Sequence, residues 1–411
     1  MKNKTERSLD VVVYGAASFV GRLLTRYLAQ RHGADGDLKW ALAGRNRDKL
    51  EAVAREFNLG KLPLIVADAA DKAALADMAA RTRVVVSTVG PYALYGSDLV
   101  AACAEQGTDY CDLTGEPQWM QQMIDAHEAQ ARSTGARIVH NCGFDSIPSD
   151  FGTWFTQQQA QKDFGEPCVQ VKLRVKAMRG GASGGTVASL LNVMKEMTHN
   201  PALRKTMQNP YAVCPADARS GVRQANVTGP VYDEDARSWL APFVMAGINT
   251  KVVHRSNALQ GHAWSREFLY DEAMMVGDSG KGALIAAAMA AGTGVFMGLA
   301  LLAPTRQLLE RYVLPKPGEG PSPEAQEKGF FDIRLFGRTA TGKTLQTKVT
   351  GDRDPGYGST SKMLGEAAVC LAQDGAHTRK EGGFWTPSVC MDGALLERLT
   401  AHAGLKFERV A

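Results

Sequence analysis

Residues 10–14 form a short run, Asp10-Val11-Val12-Val13-Tyr14, and a loop of mostly small residues, Gly15-Ala16-Ala17-Ser18-Phe19-Val20-Gly21, follows it directly. From 22 to 31, Leu23, Leu24, Tyr27 and Leu28 recur at the spacing of one helix face. Strand, tight glycine turn and helix, in that order, open a βαβ unit, and nothing else in the chain restricts its fold as strongly. Such a turn brings backbone N–H groups up to a pyrophosphate at the positive end of the helix. Gly15, Ala16, Ser18, Phe19, Val20 and Gly21 are therefore the candidate phosphate-binding residues. Ser18 stands where the common pattern has its middle glycine.

The second strand, 38–42, runs into Ala43-Gly44-Arg45. Roughly 20 residues past the loop is the place where an acidic residue grips the ribose of NAD. Here the residue is Arg45, with Arg47 and Lys49 close behind. A cation at this place matches the 2′-phosphate of NADP(H), which is the cofactor expected. Gly44, Arg45 and Asp68, the last at the end of a third strand over 62–67, join the cofactor-binding set.

Further strands are predicted over 84–88, 109–112 and 137–141, with helices over 99–105 and 119–133 between them. The first 150 residues thus read as a Rossmann-type doubly wound parallel sheet. From about 151 the pattern alternates as half-exposed strands do, over 169–176, 251–254, 268–276, 331–336 and 345–349. A second α+β domain of mixed or antiparallel sheet is expected over 151–350. Its polar, proline-bearing loop spans 209–237, a proline-glycine linker lies at 315–323, and 351–411 is expected to return to the Rossmann domain.

Ligands of doubly wound sheets lie over the carboxyl ends of the strands. That rule nominates Gly90, Pro91 and Tyr92 after the fourth strand, 112–116 after the fifth, and 142–150 after the sixth, with Asp145 and Ser146. Gly90 and Pro91 let the backbone pass close to the nicotinamide-ribose. Tyr92 and Asp145 offer polarising or proton-donating groups. Each has a plainer role as well: Asp145, Ser146 and Ser149 as helix caps, Tyr92 as core, Cys142 as a small buried hydrophobe. A second glycine-rich turn, 179–186, precedes a helix over 186–197 and places Ser183 and Thr186 at its start. Free N–H groups there suit an oxyanion or a phosphate, facing the cofactor across a cleft; a packing turn is the alternative.

The net charge of +4 is small and spread along the chain, which gives no support to nucleic-acid binding. Seven scattered cysteines without a C-x-x-C pair argue against a metal site and a disulfide framework, and suit a reducing cytoplasm. The N-terminus carries no signal-peptide apolar region. Residues 282–305 contain no charge, yet they are rich in alanine and glycine. This segment is read as a buried or surface-docked helix, or a helical hairpin, inside the second domain, with a peripheral membrane contact or a homodimer contact as the other occupants of its surface.

The strings VVVYGAASFVGRLLTRYLA, WALAGRNRDKL, VVVSTVGPYALYG, GTDYCDLTGEPQWM, GARIVHNCGFDSIPSD and GGASGGTVASLL resemble the saccharopine dehydrogenase-like oxidoreductases. Within them the chain is most similar to the trans-acting enoyl reductases of mycobacterial phthiocerol and phenolphthiocerol lipid synthesis. The likeness extends through INTKVVHRSNAL, VLPKPGEGPS and GDRDPGYGSTSKMLGEAAVCLA. It implies an NADPH-dependent reduction of a double bond in a lipid or polyketide-derived acyl chain, free or carrier-bound. It also implies peripheral membrane contact for 282–305, at the inner face of the plasma membrane. The alternatives are reduction of a C=N or C=O group on a small metabolite, and a membrane-peripheral NADP-binding protein without turnover.

Overall fold

The computed structural model describes residues 4–181, 184–312 and 320–410. Two compact units divide the chain. One comprises Met1–Ile147, Pro317–Gly320 and Gly356–Ala403, the other Pro148–Lys316, Pro321–Pro355 and Gly404–Ala411.

The first unit is built on a seven-stranded sheet. Its strands are β1 (Leu9–Tyr14), β2 (Trp40–Gly44), β3 (Leu64–Val66), β4 (Thr82–Ser87), β5 (Asp109–Asp112), β6 (Arg137–Val139) and β13 (Gly383–Trp385). They lie in the order β13-β6-β5-β4-β1-β2-β3, and every pair is parallel. Helices cover both faces of such a sheet, so its strands are apolar throughout. Val11, Val12, Val13, Val84, Val85 and Val86 are accordingly all buried. The strand order reverses between β1 and β4, which opens a crevice at their carboxyl ends.

The helix Thr360–Gln373 packs into this unit with nearly its whole surface buried. Its Glu366 carboxylate accepts the Tyr27 hydroxyl at 2.5 Å and pairs with Arg398 at 3.1 Å. Strand β13 adds a seventh strand beside β6 that the residue pattern does not announce, because it is only three residues long.

The second unit holds the other seven-stranded sheet. Its strands are β7 (Cys168–Arg179), β8 (Val231–Asp233), β9 (Ser238–Pro242), β10 (Leu269–Met275), β11 (Phe330–Thr339), β12 (Thr344–Gly351) and β14 (Leu405–Val410). The order is β14-β12-β11-β7-β10-β9-β8, antiparallel except for the β7–β10 pair. The β11–β12 hairpin turns at Gly342, which has φ +87°. The final strand, β14, belongs to this sheet, so residues 351–411 do not all join the Rossmann unit. Alternating burial explains the placement: Leu405 is buried, and Lys406 and Glu408 face solvent along an edge.

The strand expected over 251–254 is instead part of a helix, Ala246–Leu259. Val252 and Val253 suggest β structure, but the whole segment is enclosed. Asn249, Lys251, His254, Arg255, Ser256 and Asn257 are buried together with Ile248 and the two valines. A helix buried all round shows no amphipathic period.

The apolar segment forms a helix, Gly280–Leu301, and of the expected alternatives the buried helix fails. Only 11% of its most apolar 18-residue window is buried. Leu284 is 72% and Val295 62% exposed.

Candidate cofactor and catalytic site

β1 ends at Tyr14, and Gly15 turns the chain with φ +83°. A side chain at this residue meets two obstacles. The backbone conformation is one that L-residues rarely adopt, and a Cβ would stand 2.5 Å from Val89 Cγ2 and 2.8 Å from Thr88 Oγ1. A Cβ on Gly21 would fall 2.0 Å from the Gly15 carbonyl oxygen, so the first turn of the helix lies directly on the loop. Ser18 needs no glycine. Its backbone is extended (φ −72°, ψ 167°), and it caps the helix Phe19–His32 by accepting the Gly21 N–H at 3.0 Å. Its hydroxyl also lies 3.0 Å from Thr88 Oγ1, which reaches the Gly15 carbonyl at 3.1 Å. Thr88, expected only as the last residue of a strand, therefore ties the two sides of the crevice. Among the described residues, the N–H groups of Ala17, Phe19 and Val20 find no acceptor. Beneath them Ala16 is buried. The loop thus presents the unpaired donors that a pyrophosphate takes up.

At the end of β2, Gly44 is followed by Arg45, which is exposed and makes no ion pair among the described residues. Arg47, by contrast, pairs with Glu51 at 3.0 Å. Asp68 is also exposed and turns its carboxylate onto the Ala70 N–H at 3.0 Å. A charge-assisted bond to a 2′-phosphate contributes about 1.5–3 kcal/mol, or roughly tenfold to a hundredfold in affinity. Arg45→Ala is expected to weaken NADPH binding by that factor and to leave NADH binding nearly unchanged. Titration of both dinucleotides against both proteins checks this, and equal wild-type affinities would overturn the assignment.

The loops after β4, β5 and β6 are laced together by buried side chains. Glu116 is fully buried, and its two carboxylate oxygens accept the N–H groups of Tyr92 and Ala93 at 2.8 and 2.9 Å. The Asp112 carboxylate accepts the N–H groups of Thr114 (3.1 Å) and Asn141 (3.2 Å), the Tyr110 hydroxyl (3.0 Å), and a bond shared with His140 Nδ1 (2.7 Å). His140 is buried against Trp119, their ring centroids 5.0 Å apart. Neither Glu116 nor His140 was marked by the sequence for these contacts, since both depend on residues more than 20 positions away.

Tyr92 leaves the catalytic set. Its hydroxyl donates to the Ser87 carbonyl at 3.0 Å, its ring packs on Trp119, and burial beside Asp112 pushes its phenol well above the ordinary range. Gly90 and Pro91 lie at the open end of β4, joined by a cis peptide bond, with Gly90 exposed. Beyond them Leu94 and Tyr95 are 57% and 47% exposed. Cys142 is buried, and burial raises its thiol far above the range of a reactive cysteine.

Asp145 differs from the other carboxylates of this region. It is half-buried and has no hydrogen-bond partner among the described residues, and burial pushes its carboxyl up to about 6. A methyl group built on Gly115 would stand 3.5 Å from its Oδ2. Ser146 is fully buried beside it, its N–H donating to Gly143 at 3.2 Å. The loop is held from a second side by Thr360, whose hydroxyl accepts the Phe144 N–H at 2.9 Å. Of the second glycine-rich turn, Ser183 lies outside the described residues. Thr186 sits in the first turn of the helix Gly184–His199, in the other unit.

A family model described as the saccharopine dehydrogenase NADP binding domain matches residues 11–139, from within β1 to the end of β6. A trans-acting enoyl reductase of Mycobacterium bovis (strain BCG / Pasteur 1173P2) is 39% identical over 410 residues, which is 96% of each chain. The chain belongs to the trans-acting enoyl reductase family. Another trans-acting enoyl reductase, from Mycobacterium ulcerans (strain Agy99), is 37% identical over 97% of each chain. Among solved structures, saccharopine dehydrogenase (L-Glu forming) from Saccharomyces cerevisiae superposes with a TM-score of 0.52 at 14% identity. The match covers 98% of this chain and all of that one, and it is a likeness of fold. This trans-acting enoyl reductase family member is an NADP-dependent oxidoreductase. Its glycine loop, unpaired loop N–H groups and exposed Arg45 fit NADP(H).

Proposed function

We propose that the protein reduces the carbon–carbon double bond of an enoyl group on a lipid or polyketide-derived acyl chain, with Asp145 as the proton source. The 39% identity to a trans-acting enoyl reductase supports the enoyl group, and the partnerless, half-buried Asp145 carboxyl supports the proton source. NADPH, when bound, supplies the hydride that adds to the β-carbon. The α-carbon then needs one proton, and a carboxyl raised to about 6 still holds a usable protonated fraction near neutral pH. Asp145 gives up that proton and regains it from water, which reaches a half-buried group. Exposed Leu94 and Tyr95 offer apolar surface to an acyl chain. A carrier-tethered thioester would present the conjugated carbonyl that makes the β-carbon electron-poor. Incubation with NADPH and a long-chain trans-2-enoyl thioester tests the proposal. A saturated thioester formed in step with NADP⁺ supports it. Reduction of a carbonyl or imine substrate, with the enoyl thioester untouched, would overturn it.

The same reading places the enzyme at a membrane surface on the cytoplasmic side. The Gly280–Leu301 helix is about 33 Å long, against about 30 Å of bilayer hydrocarbon. Lys281 and Arg306 bracket its charge-free run. Exposed apolar surface costs about 25 cal/mol per Å² in water, so this helix needs an occupant, and an apolar substrate makes lipid the fitting one. An aspartate in hydrocarbon costs about 2.5–3.5 kcal/mol. Val295→Asp with Leu299→Asp, both at exposed positions, is expected to cut liposome binding at least a hundredfold and leave NADPH binding intact. Co-sedimentation measures it. A wild type that ignores liposomes, with a dimer that the variant converts to monomer, would assign the helix to a second subunit.

A further inference from the structure

Among the described residues, the turn 90–95 is anchored in the core only at Tyr92, whose ring packs on Trp119 and whose hydroxyl donates to the Ser87 carbonyl. Gly90, Leu94 and Tyr95 are exposed, and the helix Tyr92–Tyr95 is four residues long, too short to persist alone. Its backbone N–H groups are fixed from the neighbouring strand's loop. The Glu116 carboxylate, contributed from more than 20 residues away, accepts the N–H groups of Tyr92 and Ala93, the first two residues of that helix. Glu116 is itself fixed, since its own N–H donates to Thr114 Oγ1 at 3.2 Å. Thr114 in turn donates its N–H to Asp112. Glu116, Thr114 and Asp112 are all completely buried. A buried carboxylate is costly unless its oxygens are satisfied, and here the compensation is spent on one exposed turn at the carboxyl end of β4.

The geometry points to Glu116 as a positioning residue for the nicotinamide half of the cofactor, acting through the Gly90–Pro91 turn. The strand order separates the two halves of the site. β2, which Arg45 follows, lies on one side of β1, and β4, which leads to the turn, lies on the other. A dinucleotide crossing the switch point has its adenosine end on the Arg45 side and its nicotinamide end on the turn side. Glu116 should therefore matter to one half of the cofactor and Arg45 to the other. The inference rests on NADP(H) binding and is independent of which substrate is reduced.

The test compares NADPH with 2′,5′-ADP, which carries only the adenosine half and its phosphates. Glu116→Ala is expected to weaken NADPH about tenfold and to change 2′,5′-ADP affinity less than about twofold. Glu116→Gln, which keeps one acceptor oxygen, should fall between wild type and alanine. Arg45→Ala should weaken both ligands. Retained 2′,5′-ADP binding also reports that the Rossmann unit is folded in each Glu116 variant. Equal weakening of both ligands in the glutamine and alanine variants would make Glu116 a general support of the fold and overturn the proposal. Unchanged NADPH affinity in Glu116→Ala would overturn it as well. Absence of enoyl reduction in the wild type would sink the proposed reaction and leave this result standing.

Discussion

Asp145→Asn lowers turnover of an enoyl thioester by about 100-fold or more near neutral pH, in the range of a lost general acid. NADPH affinity stays close to wild type. The wild-type rate is expected to be flat below about pH 6 and to fall tenfold per unit above it, because the donor must be protonated. In the asparagine variant that alkaline limb disappears. The same group leaves a mark on stability. Its folded-state value near 6 lies above the ordinary carboxyl value of 3.8, so the unfolded chain ionises first as pH rises. Stability contributed by the neutral form is complete below 3.8 and is lost as pH climbs through 6. The loss is at most about 3 kcal/mol, and smaller for a half-exposed carboxyl. Asp145→Asn should thus be the more stable protein at pH 8 and lose that advantage at pH 4, measured by urea unfolding. A pH–rate profile with the same alkaline limb in wild type and variant would remove Asp145 from the reaction.

Gly15→Val should abolish NADPH binding. The sequence alone suggests a folded protein that has lost only its cofactor. The structure adds a stability cost, because valine must adopt φ +83° and thrust its Cβ against Val89 and Thr88. Backbone strain of about 1–3 kcal/mol and overpacking of about 1–3 kcal/mol add up to a visible fall in melting temperature. Calorimetry in the absence of cofactor separates the two effects. Normal NADPH binding by the variant would place the pyrophosphate elsewhere.

The residues that could be read correctly are those whose role is set by local backbone. Gly15 turns a chain immediately after a buried strand, and Arg45 follows the next strand at a fixed distance, so both are visible in one dimension. Tyr92 is not. Whether a tyrosine after β4 enters the cleft or the core depends on Glu116 holding its N–H and Ser87 receiving its hydroxyl, and neither contact leaves a pattern in sequence. The Ala246–Leu259 helix was hidden for the opposite reason: its polar residues are as buried as its apolar ones, so no periodicity survives. The Gly280–Leu301 helix was legible as an element, but its exposure was not. Alanine and glycine content suggests close packing, and only the fold shows that most of the helix's apolar residues face outward.

The interleaving of the two units has a consequence for synthesis. The N-terminal unit contains the cofactor loop within its first 21 residues, yet β13, the buried Thr360–Gln373 helix and Arg398 come from 356–403. Until that stretch leaves the ribosome, β6 remains an open edge and Glu366 is missing beside Tyr27. The second unit waits longer still, since β14 is made of residues 405–410. Neither unit can be completed in the order in which it is translated, and a nascent chain of 150 residues carries a glycine loop on an unfinished sheet.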